Sequence, residues 1–229
     1  MARILERIKA SPPYRAARTA KARLERLLFE RGDLEDTGQE VPLEELGLED
    51  PERTRYEASA WSFLRRALRR CEVRPGDVFL DIGSGKGRVV WQAAQHPFAR
   101  VLGVEIAPEL NEVARRNIER NRDRLAAGEI ELITADASSF EIPEDVTFVY
   151  LYNPVKGPLL RRVLANITAS LDRKPRELTL IYANPEQEEE VLATGRFELK
   201  HVLKGIRPDV ERSSWVQIYS SRPEAPGGG

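Results

Sequence analysis

Cysteine and histidine are nearly missing from this chain: one cysteine, Cys71, and two histidines, His96 and His201, stand among 229 residues. A single thiol excludes an internal disulfide and fits a reducing cytoplasm. Two widely separated histidines make no zinc constellation, and the scattered carboxylates keep no calcium-type spacing, so no metal is expected. Cys71, with no partner histidine near it, reads as a buried structural thiol. Long apolar runs are absent too: none reaches the roughly 18 residues of a membrane span. The stretch Met1 to Glu6 carries charge where the apolar core of a signal peptide would begin. Charge of one sign is also lacking, with 36 Lys+Arg against 37 Asp+Glu and a net of −1. That balance disfavours nucleic acid as a partner of the whole molecule and leaves room only for a local patch.

Apolar residues are plentiful at 41%, enough for one substantial core. The chain is organised around Phe79 to Arg88. Val78 to Leu80 read as a short buried strand, and Gly83, Gly85 and Gly87 follow at alternate positions. From Arg88, Val89, Val90, Ala93 and Ala94 return at helical spacing. A strand, a glycine-rich turn and a helix let the backbone approach a ligand where a Cβ would collide, beside the helix N-terminal amides. A P-loop needs Ser or Thr after its lysine, and Lys86 is followed by Gly87. A dinucleotide fingerprint needs G-x-G-x-x-G, whereas the spacing here is G-x-G-x-G behind an acid, Asp81. An acid in that place repels a pyrophosphate and suits a cationic ligand.

The form Asp81-x-Gly83-x-Gly85-x-Gly87 resembles the first motif of the class I S-adenosylmethionine-dependent methyltransferases. The next strand, Arg100 to Ile106, ends on Glu105, twenty residues beyond Gly85. At that separation a βαβ unit sets a carboxylate beside nucleoside ribose hydroxyls. The resemblance implies S-adenosylmethionine as cofactor, held by Asp81, Gly83, Ser84, Gly85, Gly87, Glu105 and Ile106. It further implies that Asp136, at the end of the run Ile130 to Ala137, meets the adenine ring together with Ala137. The pair Asp81 to Gly87 and Gly103 to Ile106 is similar to the non-SET histone-lysine methyltransferase family. By that likeness, Asn153 after the fourth strand is a catalytic and cofactor-side residue near the transferred methyl. Val155 stands where an aromatic N-P-P-[YF] motif would place its second proline, which departs from enzymes that sandwich a nucleobase. Ser11-Pro12-Pro13-Tyr14 matches such a motif in letters, but it precedes every strand and reads as a helix start.

Residues 1–70 read as a helical extension or lid, 71–221 as the cofactor domain and 222–229 as a flexible tail. Ala17, Ala20, Leu24, Leu27 and Leu28 make an apolar stripe at helical spacing, opposite a basic face of Arg15, Arg18, Lys21, Arg23 and Arg26. That face is either solvated or docks an acidic partner. Asp33, Glu35, Asp36, Glu40, Glu44, Glu45, Glu49 and Asp50 follow as a linker or lid, one able to fold back on the basic helix. Tyr56 opens a helix predicted over 56–70, where it is either a packing tyrosine or one reaching over the cofactor. Beyond the glycine turn, strands and helices alternate: Pro108 opens one helix that Gly128 ends, and Leu160 to Leu171 give another an inward face. Two final strand-like runs, 197–206 and 214–220, have no helix between them.

The fold expected is α/β, a doubly wound, mostly parallel seven-stranded sheet of Rossmann-like methyltransferase type with an N-terminal helical extension. The function expected is methyl transfer by in-line displacement to a nitrogen of a protein lysine or a small-molecule amine. A non-catalytic cofactor-binding scaffold and an NAD-dependent oxidoreductase stand as alternatives.

Overall fold

In the computed structural model the described residues are 11–29, 34–35, 37–38, 40–42, 44–47, 56–153, 155–205 and 211–222. Pro154, Asp33, Asp36, Glu49, Asp50, Ile206, the stretch Met1 to Glu6 and the tail 223–229 lie outside them. Helix α1 (Pro12–Phe29) comes first, then α2 (Trp61–Leu68) and β1 (Val78–Ile82). There follow α3 (Arg88–Ala94), β2 (Arg100–Glu105), α4 (Pro108–Arg120), β3 (Glu129–Thr134) and β4 (Phe148–Leu151). The chain goes on through α5 (Gly157–Arg173), β5 (Thr179–Ala183), α6 (Glu188–Ala193), β6 (Phe197–Leu203) and β7 (Val216–Ser221).

The seven strands form one sheet in the order β3-β2-β1-β4-β5-β7-β6. Pairings among the first five are parallel and β7 runs antiparallel to both neighbours. The chain direction therefore reverses at β1, where it winds outward to β2 and β3 and then returns to β4. In a sheet of this kind the ligand crevice lies outside the strand carboxyl ends at that reversal.

Because β1 is buried along both faces, its side chains divide between two cores. Leu80 and Ile82 join Leu102, Val104 and the inward face of α5, namely Leu160, Val163, Leu164, Ile167 and Leu171. Phe79 joins Trp61, Phe63 and Leu64 of α2, Val90 and Trp91 of α3 and Ile118 of α4. The aromatic part of this second core is a chain of tilted and edge-on rings, Phe79 to Phe98 to Phe148, with centroids 5.3 and 5.4 Å apart.

Five features differ from the sequence reading. Helix α2 starts at Trp61, and Tyr56 lies before it in a two-residue antiparallel bridge with Val41. Helix α4 stops at Arg120, eight residues short of Gly128, whose lack of a side chain serves another purpose: a Cβ there would lie 2.8 Å from the Ala99 carbonyl oxygen. Helix α6 was not expected at all. In the stripe on α1, Leu24 and Leu27 face outward, 55% and 80% exposed. Lys21 and Glu25 on its other side are the partly covered pair, joined across 3.8 Å. Cys71 is half-buried rather than buried, and its surroundings push the thiol up to about 11.

Candidate cofactor and methyl-transfer site

The glycine turn is shaped by its own backbone. Gly83, Gly85 and Gly87 all take positive φ, at 77°, 52° and 79°, a region that L-residues avoid. The amides of Gly83 and Ser84 donate to the Val104 carbonyl at 2.8 and 3.0 Å, tying the turn to the end of β2. Glu105 completes the tie. Its Oε2 accepts from the Gly85 amide at 2.8 Å and its Oε1 from the Ala107 amide at 2.9 Å. One carboxylate thus fixes the turn and the entrance to α4 together.

Asp81 lies on β1 beside this carboxylate and is 3% exposed, against 7% for Glu105. Burial, and then the neighbouring Glu105 charge, raise the Asp81 carboxyl well above the usual range. Two buried acids facing one turn make a site that gains from a positive charge. Asp136 sits two residues past β3, partly buried, accepting the Ser138 amide at 2.8 Å in a local turn. Ala137 next to it packs partly against the α5-side core. Ile106 follows Glu105 and is half-buried.

Asn153, 7% exposed, follows β4 with φ 42° and accepts the Tyr182 hydroxyl at 2.7 Å on its Oδ1. Asn184, after the neighbouring β5, repeats the positive φ at 50°. Both precede a proline in the sequence, a setting that ordinarily favours extended backbone. Backbone strain of this sort collects at ligand sites.

A strap from the N-terminal side lies over the turn. The Tyr56 ring rests on Gly85 so closely that a Cβ on the glycine would come within 2.1 Å of it. Its hydroxyl donates to the Thr37 carbonyl at 2.8 Å, and the Lys86 ammonium lies 5.4 Å from the ring centre. Arg88, the first residue of α3, donates to Thr37 Oγ1 at 2.9 Å and to the Ser59 carbonyl at 3.0 Å while stacking on Trp61 at 4.8 Å. Ser59 and Tyr150 share a 2.5 Å hydroxyl–hydroxyl bond in the interior. The acidic stretch folds onto α4: Glu35 pairs with Arg116 at 3.0 Å, and its backbone amide donates to Asn117 Oδ1 at 2.6 Å. Asn117 in turn donates to the Lys86 carbonyl at 3.1 Å, so the strap reaches the glycine turn by a second route.

The structure brings Tyr56, Asp81, Gly83, Ser84, Gly85, Gly87, Glu105, Ile106, Asp136, Ala137 and Asn153 to the carboxyl ends of β1 to β4 and the strap above them. Sequence reasoning missed Thr37, Ser59, Arg88, Tyr150 and Tyr182. Only Arg88, standing directly after the last motif glycine, carried a local signal.

Comparison with known proteins places this geometry. The family described as Histone methylation protein DOT1 matches residues 53–147, from the strap through the first three strands. The ribosomal protein L11 methyltransferase of Cupriavidus metallidurans is 30% identical over 159 residues, covering 67% of this chain and 45% of that protein. A histone-lysine N-methyltransferase of Dictyostelium discoideum, H3 lysine-79 specific, is 31% identical over 109 residues, 43% of this chain and 6% of that one. An RNA methyltransferase from Salinibacter ruber in complex with S-adenosyl-L-homocysteine superposes with a TM-score of 0.50 at 22% identity, over 75% of this chain and 97% of that one.

In sequence motif and in fold the chain is similar to the class I S-adenosylmethionine-dependent methyltransferases. The match spans less than half the length of the L11 relatives. The cofactor of these methyltransferases is S-adenosylmethionine, and the residues present suit it. The glycine turn gives backbone access, and Asp81 with Glu105 offers two buried carboxyl groups to a nucleoside that carries positive charge. Among the described residues no group of three His, Cys, Asp or Glu side chains is placed to hold a metal, and no helix is long and apolar enough to cross a membrane.

Proposed function

We propose that this protein transfers a methyl group from S-adenosylmethionine to a nitrogen, on a protein lysine or a small-molecule amine. The observation that carries the reading is the buried Asp81 and Glu105 pair closing on a glycine turn. In this assignment Glu105 holds the ribose hydroxyls and Asp81 the amino-acid ammonium. Asp136 and Ala137 border the adenine, with Ile106 along the same wall. Tyr56 covers the turn from the strap.

When bound, S-adenosylmethionine supplies a methyl group already activated by its positive sulfur, so catalysis rests on alignment with an unprotonated nitrogen. Correct placement of two reacting groups is worth about 7–11 kcal/mol at its upper end. Asn153, anchored by Tyr182, sets the acceptor side, at the carboxyl end of β4. Tyr182 stays a hydrogen-bond donor, because burial pushes its phenol up to about 12. Next to Asn153, Tyr152 donates to Glu57 at 3.3 Å, and the charges of Glu57 and Glu186 both act on its ring hydroxyl. Aromatic faces edged by carboxylates suit an acceptor that arrives as an ammonium. The likeness to an L11 methyltransferase and a histone-lysine N-methyltransferase supports a protein as the acceptor, and the second of them a lysine nitrogen.

Titration calorimetry with S-adenosylmethionine, S-adenosylhomocysteine and NAD tests the cofactor. The first two are expected to bind and NAD to give no heat, and binding of NAD alone overturns the reading. Transfer of label from S-adenosyl-[methyl-³H]methionine to a cell extract, split into protein, nucleic-acid and small-molecule fractions, tests the acceptor. Label in protein or in amines soluble in acid is expected; label confined to nucleic acid would sink it.

A further inference from the structure

Asn153 does not hold its position alone. The Tyr182 hydroxyl, at the end of β5, donates to Asn153 Oδ1 at 2.7 Å. The register pairs Leu151 of β4 with Tyr182 of β5, so the phenol stands beside the strand end that Asn153 extends. Such a tether bears on the backbone too, because φ 42° is left-handed, a region that asparagine tolerates but that a residue before proline ordinarily leaves for an extended one.

We propose that Tyr182 is a positioning residue for methyl transfer, its hydroxyl a relay that ties the end of β5 to Asn153 so that the carboxamide faces the acceptor nitrogen in one orientation only. The inference rests on the function proposed above and deepens it. Tyr182 acts through Asn153 and touches neither cofactor nor acceptor in this scheme. The relay explains why a tyrosine is buried at the end of β5 with its hydroxyl directed at β4, a placement that core packing alone does not require, since phenylalanine fills the same space.

The test uses Tyr182→Phe, Asn153→Ala and the double variant of the full chain. Assigned ¹⁵N spectra identify the Asn153 side-chain amide as the pair of signals lost in Asn153→Ala. In Tyr182→Phe these signals should shift and broaden or double, while the affinity for S-adenosylhomocysteine stays within twofold of wild type. Transfer of methyl label to a protein extract should fall about 10–100-fold, the scale of loss expected from misplacing a reacting group. The fall should lie in kcat and not in the KM for S-adenosylmethionine. In the double variant, Tyr182→Phe should add nothing to the loss from Asn153→Ala. Unchanged Asn153 amide signals in Tyr182→Phe overturn the relay whatever the turnover, as do losses that multiply in the double variant. A wild-type chain that transfers no label overturns the proposed function instead, and the spectra still decide the relay.

Discussion

A carboxylate buried beside another carboxylate is a residue whose fold and function pull in opposite directions. The Asp81 carboxyl is raised by burial and by Glu105. A carboxyl whose folded value lies above its unfolded one contributes its full stability below the unfolded value and loses it as pH rises through the folded value. Ligand-free protein therefore loses stability through Asp81 on going from acid to neutral pH, and a cation in the site restores it. Asp81→Asn removes the buried charge and keeps the shape. We expect the melting temperature of the ligand-free protein at neutral pH to rise, by about 2–4 °C for each kcal/mol gained in a chain of this size. Calorimetric affinity for S-adenosylmethionine should drop, and in wild type it should strengthen as pH climbs through the Asp81 range. A lower melting temperature in Asp81→Asn would contradict the conflict. Asp81 and Glu105 were legible in the sequence because a strand, a turn and a fixed count of residues determine where each acid lands. Tyr182 and Ser59 were not. Each bonds a residue in or just after β4, 29 and 91 positions away respectively, and no local pattern encodes such a partner.

At the scale of elements, the strap and the glycine turn are fitted to one another. Gly85 serves twice: its φ of 52° excludes most side chains, and its bare face takes the Tyr56 ring. The two demands can be separated. Gly85→Ala meets the left-handed penalty of roughly 1–2 kcal/mol and also overlaps the ring. Tyr56→Ala removes the overlap but gives up the ring's packing and its bond to Thr37. In a double-mutant cycle read by chemical denaturation, the combined loss should fall short of the two single losses added together. Strict additivity would mean that the ring and the glycine do not meet. Strands β1 to β5 were legible because apolar runs closed by acids, asparagine or proline announce buried parallel strands. Helix α6 escaped notice because its first turn is three glutamates, which suit a helix N-terminus but read by composition as a charged loop. Gly128 misled in the other direction, since a helix stop and a close backbone approach leave the same letter in a sequence.

Across the whole molecule, stability and ligand binding divide along the sheet. Both faces of β1, β2 and β4 are buried, and α5 closes one side while α2, α3 and α4 close the other. The carboxyl edge is left to the turn, the strap and the two asparagines with positive φ. Helix α1 stands apart from this division. Its amphipathic pattern was plain in the sequence, yet the pattern cannot say which face finds a partner, and the structure turns Leu24 and Leu27 outward. Equal leucines should therefore answer very differently to substitution. Leu164, fully buried on α5, should cost about 2–5 kcal/mol when cut to alanine, through lost transfer energy and the cavity left behind. Leu27→Glu should change stability by less than about 0.5 kcal/mol, as surface changes usually do. Urea denaturation of both variants, followed by tryptophan fluorescence from Trp61 and Trp91 in the α2-side core, reads the contrast directly. A loss from Leu27→Glu as large as that from Leu164→Ala would show that the outward face of α1 is covered in solution.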